Sequence, residues 1–167
     1  MQKQTCYVKI LSVIKMTKIL FVCHGNICRS PMAEFIFKDK VKKLGLENDF
    51  YIASAATSTE EIGNRVHYGT ARILRKRGID FSEKRAVQIT KSDYEKYDYI
   101  VCMDKNNLRN IKYIIPDDYD NKISLLMNFA GKNCDVADPW YTGDFDITER
   151  DIIEGCDALF KQIRIII

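Results

Sequence analysis

The segment KILFVCHGNICRSP, residues 18–31, decides the fold of this chain of 167 residues. It opens with a continuous apolar run that ends at Cys23, and such a run is typical of a strand covered on both faces of a parallel sheet. A loop of small and polar residues follows, and then Ser30 and Pro31 predict a helix with Ser30 as its N-cap. A strand, a loop and a helix in this order indicate one unit of an α/β fold.

The rest of the chain continues this alternation of strands and helices. We expect further strands at 50–55, 97–103 and 123–126, and helices at 31–44, 67–77 and 152–163. Asp146 and Glu149 are the expected cap of the last helix. Strands that alternate with helices form a parallel sheet with right-handed crossovers. Ligands bind beyond the carboxyl ends of such strands, which points to the loop after Cys23.

Length and composition fit one globular domain, because 46% of the residues are hydrophobic and 29% are charged. We expect this domain to span residues 17–167 and residues 1–16 to be an N-terminal extension. The short apolar run in that extension is interrupted by Lys9 and lacks the cleavage site of a signal peptide. A formal net charge of +3 is too small to indicate a nucleic acid as partner. No segment approaches the roughly 20 apolar residues of a membrane-spanning helix.

The six cysteines and two histidines limit the chemistry further. Several cysteines lie inside apolar runs, which indicates reduced thiols and a cytoplasmic location. The sequence has no CxxC pair, so it contains neither a zinc ribbon nor a thioredoxin-type redox motif. His24 and His67 are too few for a histidine-rich zinc site.

The loop between the first strand and the first helix carries the candidate chemistry. Gly25 and Asn26 readily adopt left-handed backbone angles, so the loop can coil and turn its N–H groups toward an anion at the helix N-terminus. The guanidinium of Arg29 can hold two phosphate oxygens. Thiols near cations at helix N-termini have pKa values of about 3.5–7.5, so we expect Cys23 to be a thiolate nucleophile. Ser30 can donate a hydrogen bond to that sulfur, and Asn26 can lock the loop through its amide.

A phenolic leaving group needs a proton, and Asp138 is the candidate acid. Pro139 restrains Asp138 to an extended conformation. Trp140 and Tyr141 can form an aromatic wall for a phenyl ring. These four residues alone fit a surface turn without a catalytic role equally well.

Five motifs resemble the low-molecular-weight protein tyrosine phosphatase family. They occur in the family's order from about Lys18 to the C-terminus, at residues 19–31, 54–58 with 62–64, 88–90, 98–104 and 138–141. The resemblance implies a single-domain, Rossmann-like, three-layer fold with a four-stranded parallel sheet flanked by helices. It also implies hydrolysis of phosphotyrosine in proteins, or of small aryl phosphates, by a monomer or weak homodimer without a metal or other cofactor.

The resemblance further implies two chemical steps. Cys23 attacks phosphorus while Asp138 protonates the phenolate, and Asp138 then activates the water that hydrolyses the phosphocysteine. Arg29 binds the phosphoryl group and stabilises its transition state. The other implied phosphate-binding residues are His24, Gly25, Asn26, Ile27, Cys28 and Ser30, and the implied supporting residues are Ser54, Asp104, Trp140 and Tyr141.

A reversible disulfide between Cys23 and Cys28, which shields the nucleophile from irreversible oxidation, is also implied by the resemblance. The alternative is a buried loop cysteine without a redox role. The chain departs from the pattern of many eukaryotic members at Glu60, at 65–67 and at Arg77. These departures bear on the choice of substrate rather than on the chemistry.

Two related activities are the alternatives to a tyrosine phosphatase. Arsenate reductases of this fold need additional cysteines on a flexible segment, whereas Cys102 lies in an apolar strand without a close partner. Protein arginine phosphatases carry a threonine in place of Ile27, and an isoleucine favours an aromatic substrate. A catalytically silent phosphate receptor would lack Cys23 or Asp138.

Overall fold

The structure of the protein is a computed structural model that describes residues 16–166. Its strands are β1 (Thr17–Cys23), β2 (Phe50–Ala56), β3 (Tyr99–Cys102) and β4 (Ile123–Leu125). Its helices are α1 (Arg29–Lys43), α2 (Tyr68–Lys76), α3 (Asp93–Lys96), α4 (Lys105–Ile111), α5 (Leu126–Phe129), α6 (Pro139–Thr142) and α7 (Phe145–Ile166). The expected N-terminal extension, residues 1–16, lies outside the described residues except for Met16.

The four strands form one parallel sheet in the order β2-β1-β3-β4. Strand β1 therefore lies between two neighbours, with Cys23 opposite Ala56 on β2 and Val22 opposite Cys102 on β3. Its last five residues are at most 3% exposed, so β1 is covered on both faces as its apolar run predicts. The predicted α/β fold with a four-stranded parallel sheet flanked by helices is confirmed.

Alternate residues of β1 belong to separate hydrophobic cores on the two faces of the sheet. Phe21 packs on the face of α1 and α7, where the ring of Phe37 lies 5.8 Å from those of Phe21 and Phe50 and 6.2 Å from that of Phe160. Val22 belongs to the core on the other face. The sheet thus holds the end of β1 rigidly at its carboxyl edge.

The start of α1 differs from the prediction, which was wrong about the N-cap. The N-cap is Cys28, and α1 begins at Arg29. The hydroxyl of Ser30 lies 3.0 Å from Cys23 Sγ, so a contact with the preceding strand occupies the side chain that was expected to cap the helix. Pro31 is the third helical residue, whose missing N–H has no partner within a helix in any case.

The cap of α7 also differs from the prediction. Asp144 Oδ1 accepts hydrogen bonds from the N–H groups of Asp146 and Ile147, each at 3.0 Å, so Asp144 caps the helix. The expected capping pair instead forms ion pairs, Asp146 with Arg72 of α2 at 2.8 Å and Glu149 with Arg77, the C-cap of α2, at 2.6 Å. No helix within residues 16–166 is long and apolar enough to cross a membrane.

The short helices and the length of β3 were not predicted. Strand β3 begins only at Tyr99, because Tyr97 closes α3 with a hydrogen bond from its N–H to the carbonyl of Asp93 at 3.1 Å. Helices α3 to α6 have four to seven residues, too few to show a helical period in the sequence.

The packing of α5 against α7 makes Gly155 a test of the fold. A Cβ atom added there would lie 2.4 Å from Cγ of the fully buried Leu126. Overpacking of this kind costs about 1–3 kcal/mol, against a gain of about 1 kcal/mol from replacing glycine by alanine in a helix. We therefore expect Gly155→Ala to lower the free energy of unfolding, measured by urea denaturation. In a Leu126→Ala background the same substitution should raise it, and stabilisation of the wild-type protein by Gly155→Ala would contradict this account.

Candidate active site

The loop that joins β1 to α1 lies at the carboxyl edge of the sheet, and we include in it Cys23 at the end of β1 and Ser30 at the start of α1. Asn26 has a φ of 58°, so the prediction of a left-handed residue is confirmed there. The same prediction is wrong for Gly25, which has no positive φ. Gly25 is instead a site of close approach, because an added Cβ would lie 3.1 Å from Cγ of Glu61.

The sulfur of Cys23 has two hydrogen-bond partners in this loop. Its Sγ lies 3.0 Å from Ser30 Oγ, and it accepts a hydrogen bond from the N–H of Asn26 at 3.3 Å. The Asn26 amide donates to the hydroxyls of Ser30 and Ser54, both at 2.8 Å, and its oxygen accepts from the N–H of Val87 at 3.1 Å. The predicted lock of the loop by Asn26 is therefore present, and Ser54 is part of it.

A charge cluster behind the loop, centred on the buried Glu34, was not predicted from the sequence. The Ser54 hydroxyl donates to Glu34 Oε2 at 2.5 Å, and Glu34 pairs with Lys38 and, at 3.3 Å, with Lys84. Lys84 also donates to the carbonyl of Ser54 at 2.9 Å. Burial lowers the pKa of Lys84, and the charge of Glu34 opposes this shift. The cluster connects the loop to α1 through Glu34 and to the segment between α2 and α3 through Lys84.

Arg29 lies between two carboxylates. Its side chain is 3% exposed, Nη1 lies 2.7 Å from Asp104 Oδ2, and Nη2 lies 2.8 Å from Asp138 Oδ2. Burial by itself would lower the pKa of Arg29, but the charges of Cys23, Asp138 and Asp104 outweigh it and raise that pKa. The guanidinium is therefore held charged at the pocket.

Asp104 is fixed by the start of α4. Its Oδ1 accepts from the N–H of Asn107 at 2.6 Å, while Asn107 Oδ1 accepts from the N–H of Asp104 at 3.1 Å, which forms a capping box. One oxygen of Asp104 thus holds the helix, and the other holds Arg29.

Asp138 has the extended conformation that Pro139 predicts, with φ −90° and ψ 110°. It caps α6, since Oδ1 accepts from the N–H of Trp140 at 3.0 Å. Its side chain is 24% exposed, whereas those of Trp140 and Tyr141 stand at the rim with residue exposures of 67% and 86%. Asp138 therefore lies at the entrance, between Arg29 and solvent.

These side chains meet in one pocket of about 430 Å³, a size that suits a small organic ligand. The expected site residues that line it are Cys23, His24, Gly25, Ile27, Cys28, Arg29, Asp104, Asp138, Trp140 and Tyr141. Asn26, Ser30 and Ser54 are buried behind its floor. The lining residues that were not expected are Glu61, Asn106, Asn107, Arg109 and Asn110. Glu61 precedes α2, and the other four belong to α4, which was too short to predict.

The cysteines differ sharply in their surroundings. Cys23 and Cys28 are both free thiols. Burial, with the charges of Cys23 and Asp138, raises the pKa of Cys28 to about 12. Cys102 and Cys156 are fully buried core residues, and burial raises the pKa of each. Within residues 16–166 no three histidine, cysteine, aspartate or glutamate side chains are grouped to hold a metal ion.

Comparison with known proteins gives matches along almost all of the described chain. Residues 18–165 match the family described as low molecular weight phosphotyrosine protein phosphatase. The chain is 40% identical to the low molecular weight protein-tyrosine-phosphatase YfkJ of Bacillus subtilis, over 89% of this chain and 97% of that protein. The crystal structure of YfkJ matches with a TM-score of 0.85 over 90% of this chain and 96% of that one.

Two further proteins are also similar to this chain. The low molecular weight phosphotyrosine protein phosphatase of Gallus gallus is 40% identical over 86% of this chain and 94% of that protein. The Drosophila arginine phosphatase is 29% identical and matches with a TM-score of 0.80 over 88% of this chain and 98% of that one. The chain belongs to the low molecular weight phosphotyrosine protein phosphatase family.

Proposed function

We propose that the protein hydrolyses phosphotyrosine and other aryl phosphate monoesters through a phosphocysteine intermediate. The observation that carries this proposal is the convergence of three groups on one pocket: the sulfur of Cys23, the guanidinium of Arg29 and the carboxylate of Asp138. A nucleophile, an anion-binding group and a proton donor are the parts that this reaction needs. The named activity of the family's members supports the same reaction.

In the first step the phosphoryl group enters the loop and its oxygens bind the loop N–H groups and Arg29. These oxygens take the place of Asp138 on Nη2, while the buried Asp104 remains on Nη1. The thiolate of Cys23 attacks phosphorus, and the bond to the phenolic oxygen breaks. Protonated Asp138 donates its proton to that leaving oxygen, so a neutral phenol departs.

In the second step a water molecule attacks the phosphorus of the phosphocysteine. Asp138 is now a carboxylate and accepts a proton from that water, while the sulfur–phosphorus bond breaks. Sulfur leaves as a thiolate, and the hydroxyl of Ser30 and the N–H of Asn26 stabilise its charge from 3.0 and 3.3 Å. Inorganic phosphate is released and Asp138 carries the proton for the next turnover.

Pocket lining supports an aryl substrate over a phosphoarginine. Ile27 contributes an apolar side chain, and Trp140 and Tyr141 stand at the rim where a phenyl ring would lie. Phosphotyrosine-containing proteins are the proposed partners. The cytoplasmic location, the monomeric or weakly dimeric state and the absence of nucleic-acid partners stay predictions.

The function is tested by comparing phosphotyrosine, phosphoserine, phosphoarginine and arsenate as substrates of the purified protein. We expect hydrolysis of phosphotyrosine with the highest kcat/KM and no reduction of arsenate. A higher kcat/KM for phosphoarginine would make the protein an arginine phosphatase, and arsenate reduction would make it a reductase.

Replacing the nucleophile should separate chemistry from binding. We expect Cys23→Ser to abolish turnover of para-nitrophenyl phosphate, because a serine hydroxyl is not ionised at neutral pH and cannot replace the thiolate. Phosphate binding, measured by isothermal titration calorimetry, should remain measurable. The control is Cys134→Ser, which changes an exposed cysteine outside the pocket. Retained turnover in Cys23→Ser would remove Cys23 from the nucleophile's role.

Replacing Asp138 should slow the reaction most for esters whose leaving oxygen needs a proton. General acids contribute about 10²- to 10⁴-fold, so we expect Asp138→Asn to slow phenyl phosphate by a factor in that range and dinitrophenyl phosphate far less. Stopped-flow measurement of the first turnover checks this difference. Asp117→Asn changes an exposed aspartate outside the pocket and is the control. Equal slowing of both esters would exclude Asp138 as the acid.

The proposed disulfide between Cys23 and Cys28 makes a prediction about pH. Peroxide oxidises Cys23 to a sulfenic acid, and the Cys28 thiolate then displaces hydroxide to close the bridge. Formation of the sulfenic acid removes the charge of Cys23, but burial and the charge of Asp138 still raise the pKa of Cys28, so only a small and pH-dependent fraction of Cys28 is thiolate near neutrality. Bridge formation should therefore accelerate with rising pH, by about tenfold per unit at most. Mass spectrometry of quenched samples checks this, and a rate independent of pH between about 7 and 9 would contradict it.

A further inference from the structure

Opposite charges line two sides of the pocket mouth. Glu60 and Glu61 lie on one side, in the segment between β2 and α2, and Arg109 of α4 lies on another. Glu60 and Arg109 are exposed, and Glu61 is partly exposed. The reaction proposed above uses none of these three side chains.

The acidic side keeps a negative charge. Glu60 Oε2 lies 3.0 Å from His24 Nε2, so this pair carries a charge of −1 with a neutral ring and 0 with a protonated one. Glu61 accepts a hydrogen bond from the amide of Asn64 at 2.6 Å, and this partner is neutral, so among the described residues no ion pair compensates the charge of Glu61.

The charge of Glu61 also reaches the phosphate-binding loop. Its side chain packs against Gly25, where an added Cβ would lie 3.1 Å from Glu61 Cγ. Its charge is one of the causes that raise the pKa of Cys28, although burial and the charges of Cys23 and Asp138 have larger effects. A carboxylate in this position repels the phosphate of any substrate, so by itself it weakens the binding of a simple aryl phosphate.

Arg109 supplies the opposite charge. Its Nη2 donates to Asn106 Oδ1 at 2.6 Å, and it forms no ion pair with any residue in the range 16–166. Its positive charge is therefore available to an acidic group of a substrate. A peptide across the mouth meets a negative side and a positive side, which fixes its direction.

We propose that Glu60 and Glu61 select phosphotyrosine sites that carry a lysine or arginine close to the phosphotyrosine. This inference rests on the proposed tyrosine phosphatase function and names the substrate class of the same pocket. An extended peptide advances about 3.3–3.6 Å per residue, so a basic side chain within two residues of the phosphotyrosine reaches the pocket rim. Its cation offsets the repulsion between the two carboxylates and the phosphate. The carboxylates thus penalise bare aryl phosphates and favour basic peptides.

The test uses substrates on which the two carboxylates act in opposite directions. One substrate is para-nitrophenyl phosphate, and the others are phosphotyrosine peptides that differ only in having lysine, glutamine or glutamate next to the phosphotyrosine, on one side at a time. We expect the wild type to prefer a lysine peptide over its glutamate counterpart. An exposed charge pair changes an equilibrium constant by a factor of about 1.5–5. We therefore expect Glu60→Gln and Glu61→Gln each to lower kcat/KM for the lysine peptide about threefold. The same variants should lower the KM for para-nitrophenyl phosphate.

A matched control separates this effect from net charge. Glu47→Gln removes an exposed carboxylate just before β2, at the opposite edge of the sheet from the loop, and should change neither measurement. The lysine preference should also shrink in high salt, because the Debye length falls from about 8 Å at 0.15 M to about 3 Å at 1 M.

Equal kcat/KM values for lysine and glutamate peptides would overturn the inference and leave the proposed phosphatase function intact. So would variants of Glu60 and Glu61 that shift the peptide and para-nitrophenyl phosphate in the same direction, as a purely structural role would. A wild-type protein that hydrolyses neither the peptides nor para-nitrophenyl phosphate would instead overturn the phosphatase function itself.

Discussion

The buried positive charge of Arg29 is the interaction on which the site depends. A guanidinium that is 3% exposed needs anionic partners, and Arg29 has two, the buried Asp104 and the partly exposed Asp138. Asp104 is locked by the capping box of α4, whereas Asp138 caps the short α6 at the pocket entrance. In the proposed reaction this arrangement keeps one carboxylate on Arg29 throughout and leaves the second free to exchange with a phosphoryl group. The same displacement frees Asp138 to handle the proton of the leaving group.

Local patterns predicted the fold well where a single segment determines its own structure. The apolar run that ends at Cys23 is an inner strand of the sheet, and the helix expected at 67–77 is α2, with His67 and Arg77 as its caps. Prediction failed where a side chain contacts another element of the fold instead of making the local contact that the sequence pattern favours. Ser30 has the chemistry of an N-cap, but its hydroxyl contacts the sulfur at the end of β1, and a tertiary contact therefore displaces a local one.

The candidate site, like the fold, was predicted only where a local sequence pattern determines it. The loop motif and the aspartate before Pro139 were visible in the sequence, and the structure brings them to one pocket. Glu34 and Lys84 could not be recognised as part of the site, because a glutamate inside a helix and a lysine in a loop are common in any sequence. Their contacts with Ser54 join positions 20 and 30 residues apart. No local period encodes such a contact, so only the folded chain reveals the charge cluster that supports the loop.

The central claim is that the loop holds the sulfur of Cys23 directly beneath a bound phosphoryl group. Rapid acid quenching during turnover of an aryl phosphate, followed by mass spectrometry of the digested protein, tests it most directly. The account predicts one phosphoryl group, attached to Cys23 and formed within a single turnover. Phosphorylation of another residue, or turnover without any phosphorylated peptide, would contradict it.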